Sequence, residues 1–441
     1  MKRLLSLLLC AVLALFCATT AQAAGVSITL TASEYALHYA FDAGAQDPFV
    51  ILEYATPAEK GWMMLYSEDG HFEGDVSLAY SGAGGKTSVA LTSARTTGSI
   101  GKASTTLPKA ADYQKPTGKS NAKVTDFVLT ETPEGFHYAF NAIGTDYMLL
   151  YWRSKEQTVT QPVYPDENGH YEGDVISDLT FARTQFTVQV KSGAGSMKKE
   201  ATVRKGYQAP EAPQRQEGRL SGVTVCIDAG HQENGRFVNE PIGPGLSGST
   251  SGKGGMAQGT KTNRRESIVC LEIGMLLRDE LLRQGANVIM TREDQTTFHT
   301  NIERCEIAEA GGAQIMLRLH CNNSSNHSKR GIQVYGPLNS DYAKAVADAD
   351  TYREMGQKLL DAMKTRVGMT LANSTGMVRL NDNYVGNNWA KMMCFLVEMG
   401  YLSNPAEEYL LVTPVYQQWL AEGMADGVYE IAVARGWVQA Q

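Results

Sequence analysis

Three residues stand where this chain could do chemistry. His231 closes the run Val223–Ile227 by way of Asp228-Ala229-Gly230. His320 closes Gln314–Leu319 ahead of Cys321-Asn322, and Glu398 follows Val397 at the end of the run from Met393. Each run reads as a buried strand, so the three side chains fall at strand carboxyl ends, where open α/β sheets hold their ligands. Two histidines and a carboxylate are suitable donors for a catalytic zinc ion, which uses three protein ligands and keeps one position for water. The same residues also fit packed structural histidines, the commoner use of a lone histidine on a strand.

The elements that must position these groups follow from the apolar pattern. Glu266–Gln284 carries Ile268, Leu271, Met275 and Leu282 at helical spacing, with Gly285 as terminator. Asp341–Arg366 and Val415–Ala434 read as further helices, and Ala286–Met290 and Ile332–Tyr335 as further strands. Strands alternating with helices predict an α/β domain with a largely parallel sheet over residues 219–441.

The first half has a different texture. His38-Tyr39-Ala40-Phe41 returns at 137–140, and Gly70-His71-Phe72-Glu73-Gly74-Asp75-Val76 returns, with Tyr171 in place of Phe72, at 169–175, every pair 99 positions apart. Such self-similarity marks a duplication. Short β-branched and aromatic runs, with Asp69-Gly70 and Asn168-Gly169 as tight turns, predict two small antiparallel β-sandwiches at 25–107 and 123–206. Pro108, Pro116 and Gly118 in 108–122, and Pro210 and Pro213 in 207–218, predict extended, solvated linkers. Tyr39, Trp62, Tyr138 and Trp152 offer either core packing or stacking faces for a wall polymer or carbohydrate. His38, His71, His137 and His170 recur at equivalent places and read as structural.

Length and composition limit the function. A chain of 441 residues with 43% apolar and 20% charged residues is globular and long enough for several domains. A formal charge of −7 argues against nucleic-acid binding. Lys2 and Arg3, the apolar run Leu4–Phe16 and Ala21-Gln22-Ala23 form the pattern of a secretory signal peptide over residues 1–23. Leu9 and Phe16 before Cys10 and Cys17 are too bulky for a lipoprotein site, and no later segment predicts stable membrane insertion. Taking Lys2 and Arg3 from 40 basic residues against 47 acidic ones leaves a net charge of −9. Five cysteines then remain, Cys226, Cys270, Cys305, Cys321 and Cys394, each alone in an apolar stretch and read as a small buried hydrophobe.

Taken together, Asp228-Ala229-Gly230-His231, Glu266 at a helix start, Arg318-Leu319-His320-Cys321-Asn322 and Val397-Glu398-Met399-Gly400-Tyr401-Leu402-Ser403-Asn404 occur in an order that resembles a known family. It is that of the zinc-dependent N-acetylmuramoyl-L-alanine amidases, the cell-wall hydrolases called amidase 3. Val288–Arg292 and Glu303-Arg304 with Ala308 extend the likeness, which covers about 219–441.

The resemblance implies zinc as cofactor, His231, Glu266 and His320 as its ligands, and Glu398 as the catalytic residue. It implies peptidoglycan as substrate and an exported enzyme at the cell wall, or in the periplasm where an outer membrane exists. Glu233 and Glu240, in the Gly- and Ser-rich segment 232–263, compete with Glu266 for the third ligand position. Arg318 departs from the family's usual serine and, on the His320 face, is expected to alter substrate contacts. Asp228 is a candidate to orient His231, Asn322 and Arg379 to hold substrate, and Cys321 should face away from His320. His299 and His327 read as solvent-facing. Two other readings remain, a zinc peptidase acting within stem peptides and a wall-binding protein with an inactive hydrolase domain. The extended linkers further predict that 219–441 folds alone and cleaves small soluble substrates.

Overall fold

Thr224–Ala229, a near-continuous apolar run, is buried on both faces, as a central parallel strand must be. In the computed structural model it is the first in chain order of six strands in the C-terminal half, β1 (Thr224–Ala229), β2 (Asn287–Met290), β3 (Ile315–Asn322), β4 (Gln333–Gly336), β5 (Met377–Leu380) and β6 (Met393–Tyr401). The described residues are 19–21, 25–78, 81–111, 123–132, 135–143, 148–153, 158–176, 183–192, 195–204, 210–232, 238–250, 255–262, 264–368 and 377–440. The signal-peptide pattern lies outside them, apart from Thr19–Ala21, which pairs with Ile28–Leu30.

Sheet order is β2-β1-β3-β6-β4-β5. The first four strands run parallel, and β4 lies antiparallel to β6. Helices α1 (Glu266–Arg283), α4 (Ala349–Val367) and α7 (Pro414–Ala434), with the short α6 (Glu407–Leu411) leading into α7, close one face over Val225, Ile227, Leu317, Leu319, Phe395 and Val397. The short α5 (Val385–Trp389) and α2 (Asn301–Ala310) close the other over Cys226, Met316 and Cys394. The five cysteines among the described residues are buried and unpaired.

Two expectations for this half need correction. The helix expected at Asp341–Arg366 is two, α3 (Asp341–Val346) and α4. Ala347 is fully extended, and the Asp348 side chain accepts from Thr351 N to start the second helix. Strand β5, four residues beside a stretch outside the described residues, carries too short a pattern to be read from sequence.

In the N-terminal half each copy stacks two sheets. Ile28–Ser33, Ala36–Asp42 and His71–Ser77 form the outer sheet of the first, and Lys123–Thr132, Gly135–Ile143 and His170–Ile176 that of the second. The same contacts recur: Phe41 stacks on Phe72 at 4.9 Å and Phe140 on Tyr171 at 4.6 Å. His38 meets Asp75 at 3.1 Å and His137 meets Asp174 at 2.9 Å. The inner sheets are not separate. Thr158 and Val159 pair with Lys60 and Glu59, fusing both into one eight-stranded sheet. Tyr39, Tyr138 and Trp152 are core residues, not stacking faces, and Trp62 is half-buried against Tyr409 at 4.4 Å.

The described part of the connection to the C-terminal half, residues 210–218, is packed, contrary to the expected solvated linker. Arg278 Nη2 donates to Pro210 O, Arg215 Nη1 to Gly285 O and Gln216 N to Leu282 O, which lays residues 210–216 along α1. Phe49, from the first copy, is fully buried with its ring 5.9 Å from Tyr416 and 5.3 Å from Trp419 of α7. Arg330 donates to the carbonyls of Arg95 and Ala94. The first copy therefore shares the hydrophobic core of the C-terminal half, and a fragment 219–441 exposes the face that Phe49 covers. Phe49→Ala should destabilise the full chain by about 3–5 kcal/mol, as buried Phe truncations do. Equal urea midpoints for the parent chain and the variant would show that this contact contributes nothing.

Candidate metal and catalytic site

At the carboxyl end of β1 the chain turns through Gly230 into His231, which adopts φ +56°, a left-handed conformation costly for a residue with a Cβ. Gly230 makes room for the other imidazole: a Cβ there would lie 2.6 Å from His320 Cε1. The two rings meet edge-on, with centroids 4.9 Å apart. Glu266, first residue of α1, reaches between them. Its Oε2 lies 3.1 Å from His231 Nε2 and its Oε1 2.9 Å from His320 Nδ1. Backbone N–H groups of Ala257 and Cys321 donate to the same two oxygens at 2.8 and 3.0 Å.

Burial opposes the Glu266 charge, but the hydrogen bonds from both histidines outweigh it and hold the carboxyl well below its ordinary range. Its place in the first turn of a helix also favours a negative group. Burial pushes the His320 imidazole below its usual value, and Glu266 only partly restores it, so this ring is neutral near pH 7. One donor atom from each of His231, Glu266 and His320 lies within 4.8 Å of the others. Neutral imidazole and ionised carboxylate are the ligand forms a metal requires.

Glu398 stands on β6 directly beside His320 of β3 and opposite Gln333 of β4. Its Oε2 is buried with no hydrogen-bond partner, in the same cleft of about 830 Å³ as the three donors. Burial first, and then the nearby Glu266 charge, push its pKa up to about 8. An unpartnered carboxylate oxygen beside a potential cation site is placed to exchange protons with a ligand.

Other candidates fall elsewhere. Glu240 accepts from Asn301 Nδ2 and Ile302 N, capping the start of α2, and Glu233 lies outside the described residues. The Cys321 thiol packs beside Cys270 of α1, while its backbone N–H faces Glu266 in the cleft. Asn322 lines the cleft and donates to Gln333 at 3.2 Å. His299 also lines it, and His327 Nδ1 lies 2.7 Å from Ser403 O. Arg379 is exposed.

Asp228 does not orient His231. It is fully buried and bound by Thr291, Arg304 and Arg318. Burial alone would raise its pKa, yet the two guanidiniums hold it far below normal. Arg318 is accordingly buried rather than free for substrate, and packs so closely on Gly386 that a Cβ there would lie 2.3 Å from its guanidinium carbon. Arg304 also donates to the carbonyls of Ala229 and His231, and Arg292 to those of Ala229 and Gly230, so this buried charge cluster shapes the turn that presents His231. Sequence reasoning singled out neither this role nor cleft-lining Tyr384, which follows the unread strand β5.

Comparison with known proteins follows these residues. Residues 225–430 match the family model described as N-acetylmuramoyl-L-alanine amidase. A germination-specific N-acetylmuramoyl-L-alanine amidase of Bacillus subtilis (strain 168) is 26% identical over 231 residues, covering 49% of this chain and 83% of that protein. A probable cell wall amidase of Staphylococcus aureus is 27% identical over 218 residues, covering 48% of this chain and 60% of that protein. Among solved structures, an N-acetylmuramoyl-L-alanine amidase from Clostridium difficile 630 is 24% identical with a TM-score of 0.38, covering 48% of this chain and 96% of that one.

Replacing Asp228 by Asn leaves Arg304 and Arg318 buried without their counter-charge. Removal of one partner from such a cluster costs about 3–5 kcal/mol. Urea unfolding should show a loss of that size, and a loss below about 1 kcal/mol would mean the arginines find other compensation.

Proposed function

We propose, from the match of residues 225–430 to the N-acetylmuramoyl-L-alanine amidase family, that His231, Glu266 and His320 hold a zinc ion while Glu398 moves the protons of hydrolysis. The reaction is that of a cell-wall amidase, cleavage of the amide between the lactyl carbonyl of N-acetylmuramic acid and the L-alanine of the stem peptide. One observation carries the residue assignment: three donors of the right chemistry converge within 4.8 Å, and the partnerless Glu398 oxygen shares their cleft.

Two imidazoles and a carboxylate make an established set for catalytic zinc. When bound, the metal supplies Lewis acidity, polarising a carbonyl and lowering the pKa of a water to roughly 7. Glu398 takes a proton from the attacking water and returns it to the departing amine of L-alanine, base first and then acid. With no cation present, burial and Glu266 hold Glu398 at about 8. A positive charge on the three donors lowers that value toward the range where a carboxylate acts as base. Glu266 stays ionised behind both imidazoles, held by two backbone N–H groups that fix its direction.

Export belongs to the same reading, because peptidoglycan lies outside the membrane. The basic, apolar and Ala-x-Ala pattern of residues 1–23 supports it, and among the described residues no helix is long and apolar enough to cross a membrane. The two β units, with their recurring motifs and matched ring and His–Asp contacts, are read as a duplicated module.

His320→Ala should lower zinc content strongly in elemental analysis of the purified chain; unchanged occupancy would remove His320 from the ligand set. Glu398→Gln should keep its zinc and fold yet hydrolyse peptidoglycan about 10²–10⁴-fold more slowly, the usual contribution of a general base. Near-parental turnover would assign the proton transfers to another group. Mass spectrometry of digested sacculi should find intact stem peptides beginning with L-alanine, whereas a stem-peptide peptidase would leave L-alanine on muramic acid.

A further inference from the structure

The eight-stranded sheet turns one face toward the catalytic half, and that face changes chemistry along its width. Over the first copy it presents Phe49 and Ile51, with Trp62 and Met64 beside them, all packed against core residues of the C-terminal half. Beyond the Lys60–Thr158 junction the corresponding face of the second copy carries Tyr151, Arg153, Thr160, Thr187, Gln189 and Lys191, beside Leu149. Strand register groups them: Tyr151 stands between Thr160 and Gln189, and Arg153 opposite Thr187. Their alternates, Leu150, Trp152, Val159, Val188 and Val190, fill the core, so these side chains point away from it. Arg153 and Lys191 are exposed, and Lys191 Nζ lies 5.5 Å from the Tyr151 ring centroid, a cation held against an aromatic face.

One copy of the module has thus kept an apolar face that the catalytic half covers, and the other presents cations, hydroxyls and an amide to solvent. Such a surface suits a hydrated polymer bearing hydroxyls and carboxylates rather than another protein's apolar face. The amidase substrate is such a polymer, a glycan strand with stem peptides that carry free carboxylates, and it extends beyond any single cleft. We propose that the Tyr151–Lys191 face of the second β unit binds the peptidoglycan strand on which the cleft acts. The identity of the polymer rests on the amidase reading.

Rigidity gives the proposal its mechanical sense. The first copy is docked through Tyr409, Tyr416 and Trp419 and through Arg330, on segments that follow the strands of Glu398 and His320. The second copy continues the same sheet. Track and cleft are therefore held at a set offset, and binding at one raises the effective concentration of substrate at the other.

The test uses the full chain carrying Glu398→Gln, so that bound polymer is not cut, with and without Tyr151→Ala and Lys191→Glu. Co-sedimentation with purified sacculi should weaken by about tenfold or more in the triple variant, the effect of losing a principal contact. The same two substitutions in the Glu398 chain should leave cleavage of a small soluble muramyl peptide unchanged. If Tyr151→Ala disturbs the sheet by circular dichroism, Lys191→Glu alone, on an exposed side chain, gives the same reading. Undiminished sedimentation of the folded variants would overturn the proposal. A parent chain that binds sacculi but cleaves no muramyl peptide would overturn the amidase reading and leave the binding face standing.

Discussion

A carboxylate buried between two imidazoles is the constraint on which the rest of this structure depends. Glu266 is almost wholly removed from water, and an isolated charge in that position would be expelled or neutralised. It persists because a helix start, two backbone N–H groups and both histidines converge on its two oxygens. That convergence brings together donors from the end of β1, the start of α1 and the end of β3. The same negative charge acts on Glu398 from across the cleft and, with burial, keeps it inclined to hold a proton. Two carboxylates in one cleft thus sit in opposite states, one held ionised by hydrogen bonds and the other held toward neutrality by their absence, a division that acid–base catalysis uses repeatedly.

Beneath this pair lies a second buried charge system with a structural task. Asp228 compensates Arg304 and Arg318, and Arg292 saturates backbone carbonyls of the turn that carries His231. A histidine held in left-handed backbone needs such support, because a looser turn would relax to an ordinary conformation. The first β unit of the N-terminal half is seated by Phe49 and by Arg330 against segments that follow the strands of Glu398 and His320.

Much of the site was legible in the residues themselves. Strand-end histidines beside Gly230 and Asn322 mark positions where a side chain escapes the sheet, and Glu266 opens a strongly periodic helix. The charge cluster was not legible, because Asp228, Arg292, Arg304 and Arg318 are far apart in sequence and meet only once the strands are in register. Tyr39 and Tyr138 show how local pattern alone can decide: in His-Tyr-Ala-Phe the alternation that sends histidine outward sends tyrosine into the core. The fusion of two inner sheets left no such trace, since the junction rests on backbone pairing of Thr158 and Val159 with Lys60 and Glu59, which any side chain permits. The break at Ala347 escaped for a related reason. Alanine favours helix, and only the Asp348 cap two residues into the turn overrides it.

The central claim is that His231, Glu266 and His320 form the metal site and that Glu398 serves from outside it. Anomalous diffraction at the zinc edge, from crystals of the full chain grown with zinc, measures this directly. The account predicts one strong peak about 2.0–2.2 Å from a nitrogen of each histidine and an oxygen of Glu266, with Glu398 beyond bonding distance. A peak that takes Glu398 or Glu240 as a ligand in place of Glu266, or lies away from both histidines, would contradict it.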